Sequence, residues 1–264
     1  MNFPEKLFSR IRAFDMCLPS LKQTHEFIDD MIRFLFPLCE NKNMEISQLR
    51  DEWERLQRQF VDLLSSLEHL LEKSPEELSQ HFFAVIPCIH EQLLEEAVHF
   101  AKCDPAAESA EEVILCYPGY YAISIYRLAN ELYRMNIPIL PRAISEYAHS
   151  KTGIDINPGA TIGKHFYIDH GTGIVIGETT EIGNNVKIYQ GVTLGALYVE
   201  KDLQNTKRHP TIEDNVIVYA GSTILGGDTV IGHDTIIGGN VWLTESVAPN
   251  SVVYHKPEVV IKNK

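Results

Sequence analysis

Glycine is almost missing from the first half of this chain: of sixteen glycines in 264 residues, only Gly119 precedes Gly153. Glycine serves corners and weakens helices, so its absence over 150 residues favours helical packing and excludes a turn-rich β fold there. Basic side chains are also scarce. Twenty-three Lys and Arg stand against 36 Asp and Glu, a formal charge of −13. That balance excludes a nucleic-acid partner as the main role, because phosphate contacts need clustered cations. The five cysteines, Cys17, Cys39, Cys88, Cys103 and Cys116, contain no CxxC pair. Such spacing argues against a disulfide framework and a cysteine zinc site, so no metal is expected. No apolar run reaches the length of a membrane span, and the N-terminal MNFPEKLFSR lacks an apolar signal core. The expectation is a soluble, cytoplasmic protein with no membrane partner.

What is present divides near residue 150. Residues 1–150 hold 24 acidic and 14 basic side chains, whereas residues 151–264 hold 12 and 9. Two domains are expected, 1–150 and 151–264. In the first, Ile46, Leu49, Trp53, Leu56, Phe60, Leu63, Leu67 and Leu70 recur at spacings of three and four, the stripe of an amphipathic helix. Lys73 is read as its end. Ser74-Pro75-Glu76-Glu77 then supplies an N-cap, a first-turn proline and a capping-box glutamate for the next helix. The stripe fits an oligomer seam and ordinary packing equally.

The second half is a repeat. Ile156, Ile162 and Ile168 stand six apart; after a slip of two, Ile176, Ile182, Ile188 and Leu194 resume the count. Ile212, Val218 and Ile224 carry it on, then Ile231, Ile237 and Leu243 after one further slip. Four places after most of these comes a small or β-branched residue: Ala160, Thr180, Val186, Val192, Val216, Ser222, Thr235 and Val241. Period six fits neither a helix nor a plain strand. It suits short strands with one large inward side chain each, three to a triangular coil. The fold class is therefore α+β: an all-helical N-terminal domain, then a left-handed parallel β-helix of hexapeptide repeats. Glu200 and Thr206 cannot replace inward aliphatics, so residues 196–208 are read as a loop leaving the coil and ending in Lys207-Arg208-His209-Pro210.

Aliphatic coils leave few polar residues without a structural excuse. At the two-residue slip stands Ile168-Asp169-His170-Gly171-Thr172-Gly173. Imidazole takes a proton near neutral pH, and an adjacent carboxylate can hold its tautomer. Asp155 lies fifteen residues earlier, close to one eighteen-residue coil, a spacing that fits a place near His170 on the neighbouring coil as well as a corner-capping aspartate.

Several runs together resemble the bacterial serine O-acetyltransferases. They are Asp104-Pro105-Ala106, Gly153-Ile154-Asp155-Ile156-Asn157-Pro158-Gly159-Ala160, and Ile168 through Thr179, which reads IDHGTGIVIGET. Gln190-Gly191-Val192-Thr193-Leu194-Gly195 and Arg208-His209-Pro210 complete the match, which is close from about residue 104 to 250. The resemblance implies acetyl transfer from acetyl-CoA, a co-substrate and not a permanently bound cofactor, to the hydroxyl of L-serine. It also implies a homotrimer, and pairing of trimers into a hexamer through the helical half. Carried over residue by residue, His170 is the general base and Asp155 its carboxylate partner. Asp104 and Asp169 hold the substrate ammonium, Arg208 its carboxylate, and His209 lines the pocket. Gly195, Ala220 and Gly239 match positions that receive the pantetheine arm.

Departures from the family pattern fall in the loop Ala196–Lys207, which lacks the usual glycines, at Asn157, and at Tyr254-His255-Lys256-Pro257, where small residues are usual. Many members dock a C-terminal isoleucine into a sulfhydrylase. Here the chain ends in Ile261-Lys262-Asn263-Lys264, and burying a terminal ammonium is costly, so that complex is not expected. Three rival readings share the coil: transfer to another hydroxyl acceptor, a γ-type carbonic anhydrase using His165, His170 and His209, and a non-catalytic assembly protein. The second has the histidine order reversed, and the third has no need of His170, Asp169 and Arg208 together.

Overall fold

The computed structural model describes residues 2–11, 18–37, 45–197 and 206–256. Its helices are α1 (Phe3–Ile11), α2 (Leu21–Leu35), α3 (Ile46–Ser65), α4 (Pro75–Cys103), α5 (Ala110–Cys116), α6 (Pro118–Arg134) and α7 (Leu140–Thr152). The stripe from Ile46 does not continue as helix to Lys73. The Ser65 and Ser66 hydroxyls donate to the carbonyls of Val61 and Leu63, an alternative to the helical ladder. The chain then passes into a 3₁₀ turn, Glu68–Leu70, which tucks Leu67 into the core and leaves Leu70 exposed. Ser74 begins α4 as expected, with a reciprocal capping box to Glu77.

After Gly153, which closes α7 in the left-handed conformation, fourteen short strands are described: β1 (Ile154–Ile156), β2 (Thr161–Ile162), β3 (Tyr167–Asp169), β4 (Ile174–Ile176), β5 (Glu181–Ile182), β6 (Lys187–Tyr189), β7 (Thr193–Gly195), β8 (Thr211–Ile212), β9 (Ile217–Val218), β10 (Thr223–Leu225), β11 (Val230–Ile231), β12 (Ile236–Ile237), β13 (Trp242–Leu243) and β14 (Val252–Val253). They build a left-handed β-helix with three parallel walls: β1-β4-β7-β10-β13, β2-β5-β8-β11 and β3-β6-β9-β12-β14. Every hexad aliphatic from Ile156 to Ile237 is buried, and Leu243, on the last coil of the first wall, is partly buried. The small second set, Ala160 through Val241, is buried too. Ile182 pairs with Ile212, so the hexad phase is the same on both sides of residues 198–205.

Corners between the second and third walls are turned by His165, Asn185, Asn215, Asp234 and Asn250, all with φ between 56° and 58° or at 60°. Asn and Asp tolerate this conformation better than other residues bearing a Cβ. Their side chains also bond along the edge, Asn185 Nδ2 to Asn215 Oδ1 at 3.2 Å and Asn215 Nδ2 to Asp234 Oδ1 at 3.1 Å.

The first coil has no coil beneath it, and the helices supply what is missing. In the second coil, the carbonyls of Ile176, Thr180 and Ile182 accept the amides of Asn157, Thr161 and Gly163. The equivalent carbonyls of the first coil accept side-chain donors: Ile156 from Ser145 Oγ at 2.9 Å, Ala160 from the Tyr126 hydroxyl, and Ile162 from Arg127 Nη1 at 2.6 Å. Arg127 also reaches the Gly163 carbonyl and the carboxylate of Glu96, whose side chain is fully buried. One apolar core runs from Leu93, Phe100 and Tyr120 through to Val241. Removing Arg127 strands Glu96 as a buried charge, a change that typically costs about 3–5 kcal/mol. Arg127→Met should therefore lower the urea midpoint sharply, and the double variant Arg127→Met/Glu96→Leu should recover part of the loss.

Candidate active site

The two-residue slip is where His170 sits. Asp169 pairs with Tyr189 and Val175 with Thr193, so this corner spans six residues in the second coil's approach and four in the next. The two additional residues, His170 and Gly171, leave the wall at φ 57° and 88°. Gly171 is needed here, since a Cβ would lie 2.4 Å from Ile154 Cδ1. The His170 imidazole is consequently 73% exposed, with Nε2 3.8 Å from Asp169 Oδ1.

Asp104, the C-cap of α4, comes to the same edge from the helical half. Its carboxylate accepts the Ala106 amide at 2.8 Å and the Tyr117 hydroxyl at 2.7 Å. Those bonds hold the carboxyl below its usual range, assisted by the field of His170. The contact with Asp104 also pushes Tyr117 up to about 12, with Asp169 contributing. Asp104, Asp169 and His170 thus share one electronegative edge, and Tyr117 orients the first of them. No residue pattern marks Tyr117 in advance, because its contact is made across α5.

Arg208 and His209 lie on another edge. The run Gly177-Glu178-Thr179 is their seat. Glu178 pairs with the Arg208 guanidinium, and the Tyr133 hydroxyl donates to the other Glu178 oxygen at 3.1 Å. Thr179 Oγ1 accepts the amides of Arg208 and His209 at 2.9 and 3.1 Å and lies 2.9 Å from His209 Nδ1. The Thr179 amide donates to that same nitrogen at 3.1 Å, which leaves the ring proton of neutral His209 on Nε2. The ring lies flat over Gly177, where a Cβ would stand 1.9 Å from Cδ2. Lys207 Nζ is tied to the carbonyls of Thr179, His209 and Pro210. Gly227 admits the returning strand from the other side, its missing Cβ only 2.2 Å from the Lys207 carbonyl.

His170 stands between the third and first walls, and Arg208 between the first and second, so the first wall separates them within one chain. Ala220 and Gly239 stack on the His170 edge, with the Asn240 amide donating to the Ala220 carbonyl at 2.9 Å. Gly195 ends β7 on the Arg208 edge. Asp155, on the first wall, has Arg142 at 3.6 Å and lies within 4.8 Å of Glu146 and His149 ligand atoms; no bond to His170 is described. His165 is the first rung of the asparagine ladder, on the remaining edge, and stacks on His99 at 5.0 Å. The three histidines of the carbonic anhydrase reading therefore occupy three separate edges of a chain. Residues 198–205 of the expected loop, and the terminal segment 257–264, lie outside the described residues.

Burial, with Arg208 adding to it, pushes His209 down to about 4, and burial with the field of His165 does the same to His99. Unfolded histidine titrates near 6.5. Both rings therefore contribute stability that is fully present above that pH and lost as pH falls towards about 4. The unfolding midpoint should drop through this window, and His99→Gln should make the drop shallower in denaturation followed at a series of pH values.

No family model matches the chain. It is 45% identical over 241 residues to a plasmid serine acetyltransferase of Synechococcus elongatus, covering 89% of this chain and 72% of that one. Among solved structures, serine acetyltransferase isoform 3 of Entamoeba histolytica, in complex with cysteine, superposes with a TM-score of 0.79 at 30% identity, covering 94% of this chain and 86% of that one. A serine acetyltransferase in complex with CoA gives 0.60 at 28% identity over 86% and 95% of the two chains. The capped solenoid, the His170 corner and this level of identity lead to one conclusion: the chain belongs to the serine acetyltransferase family.

Proposed function

We propose that the protein transfers the acetyl group of acetyl-CoA to the hydroxyl of L-serine, giving O-acetyl-L-serine and CoA, the first step of cysteine biosynthesis. The observation that carries this reading is the grouping of His170 with Asp169 and Asp104 on one edge of the wall whose other edge presents Arg208 and His209. A serine zwitterion needs carboxylates at its ammonium and a forked guanidinium at its carboxylate. Asp104 and Asp169 fill the first role and Arg208 the second. His170 takes the hydroxyl proton as the serine oxygen attacks the thioester carbon. The tetrahedral intermediate collapses with loss of CoA thiolate, which receives that proton from the imidazolium. Asp155, 3.6 Å from Arg142, is the carboxylate that the family resemblance assigns to the imidazolium charge.

The two edges cannot meet within one chain, and a homotrimer meets that requirement. A cyclic arrangement sets the His170 edge of one protomer against the Arg208 edge of the next, and closes after three. Acetyl-CoA then lies along the cleft, its pantetheine arm between Ala220 and Gly239 of one protomer and Gly195 of the other. Pairing of trimers through the helical half would complete a hexamer. Neutral His209, its Nε2 proton fixed by Thr179, serves as a donor in that cleft.

Thiol release from acetyl-CoA with a panel of hydroxyl acceptors tests the reading; release with homoserine or sugars but not serine would sink it. His170→Ala should lower kcat by about 10²–10⁴, the usual worth of a general base. Arg208→Ala should raise the KM for serine far more than that for acetyl-CoA. Light scattering at assay concentration should return a trimer or a multiple of it, and a monomer with full activity would contradict the shared site.

A further inference from the structure

A cleft of about 1020 Å³ lies where the helical half meets the second wall. Helices α4 and α6 form one side; β2 and the corner that follows it form the other. Its exposed solenoid rim, Lys164 and Asn184, belongs to the corner between the second and third walls, the edge that carries neither His170 nor Arg208. Junctions between domains are where ligand sites concentrate, and the volume suits a metabolite and exceeds what a single ion fills.

The lining reverses the charge of the chain, which is −13 overall. Arg127, Arg134, Lys164 and His81 face the cleft against one carboxylate, Glu131. Glu96, buried behind Arg127, neutralises that guanidinium. Glu131 is divided between His81 at 3.7 Å and Arg134 at 3.8 Å, both beyond hydrogen-bond length. Lys164 is exposed and has no ion pair among the described residues. The balance is therefore positive, by Lys164 when His81 is neutral and by His81 as well when it is protonated. At the floor, the Arg127 side chain is 9% exposed, and its Nε donor is buried with no acceptor. An unsatisfied donor of that kind is rare in a folded protein and points to a group still to be bound. Val85 and Ile89 add apolar surface, which an organic ligand covers and a bare inorganic ion does not.

We propose that this cleft binds a metabolite-sized organic anion carrying two or more charges, with Lys164 on the solenoid and Arg134 on α6 engaging its acidic groups. Carboxylates and phosphates share that chemistry, and a probe of each kind separates them. The site does not depend on the acetyl-transfer reading. A ligand held from both sides ties the helical half to the first two coils, so it should also raise the unfolding midpoint.

Cys88, exposed on the α4 side of the cleft, reports occupancy. Citrate or fructose 1,6-bisphosphate should slow its alkylation saturably, while Cys103 and Cys116, outside the cleft, react unchanged as references. The better protector of the two identifies the acidic group. Lys164→Glu should weaken that anion about fivefold, the upper worth of one exposed charge pair, and Lys164→Arg should keep it. Arg134→Glu, on the opposite side, should act as Lys164→Glu does. Protection by neither anion, or protection equalled by sodium chloride at the same ionic strength, overturns the proposal. So does protection that survives both charge reversals, or inorganic phosphate acting as well as either organic anion. CoA should neither protect Cys88 nor displace the anion. Competition with CoA would make the cleft part of the acetyl-donor site and overturn the proposal, leaving the functional reading in place.

Discussion

A parallel coil leaves half its carbonyls pointing at the coil before it, and the first coil has none before it. That deficit shapes the whole molecule. Ser145, Tyr126 and Arg127 answer it from α6 and α7, each standing where an amide of an earlier coil would be. Arg127 must then be neutralised, so Glu96 is buried in α4, and α4 is held against β3. Asp104 ends that same helix. The position of the carboxylate proposed to hold the substrate ammonium is thereby linked to the hydrogen-bond arithmetic of a sheet edge.

The hexad walls were readable because each holds one large inward aliphatic, a requirement the chain repeats with little tolerance. The candidate site was readable for the opposite reason. Where the count slips by two, His170 and Gly171 are extruded from the wall, and a residue with no packing duty becomes available for chemistry. The seat of Arg208 was not legible. Gly177, Glu178 and Thr179 meet it across some thirty residues of sequence, and nothing in their types distinguishes a receiver from an ordinary corner. Tyr117 was hidden likewise, and the end of α3 escaped because the apolar period runs on past Ser65 into the 3₁₀ turn.

Glycine has two separate duties in this solenoid. Gly171 permits a backbone conformation as well as a close approach, whereas Gly177 and Gly227 leave room for other groups: the flat ring of His209 and the backbone of Lys207. Substituting either of the latter would push His209 or Lys207 off its seat without disturbing a turn. The scarcity of glycine before residue 150 and its density afterwards reflect a change of task as much as a change of secondary structure.

The helical cap has a further consequence for behaviour in concentrated solution. A stack of parallel strands with a bare terminal coil is a template onto which another chain can add, coil upon coil, into a fibre. Here that terminal surface is occupied by a serine, a tyrosine and an arginine fixed on rigid helices, which satisfy the backbone yet present no strand to copy. The catalytic coil can therefore be long, regular and strongly aliphatic without acquiring, at its first turn, the capacity to polymerise.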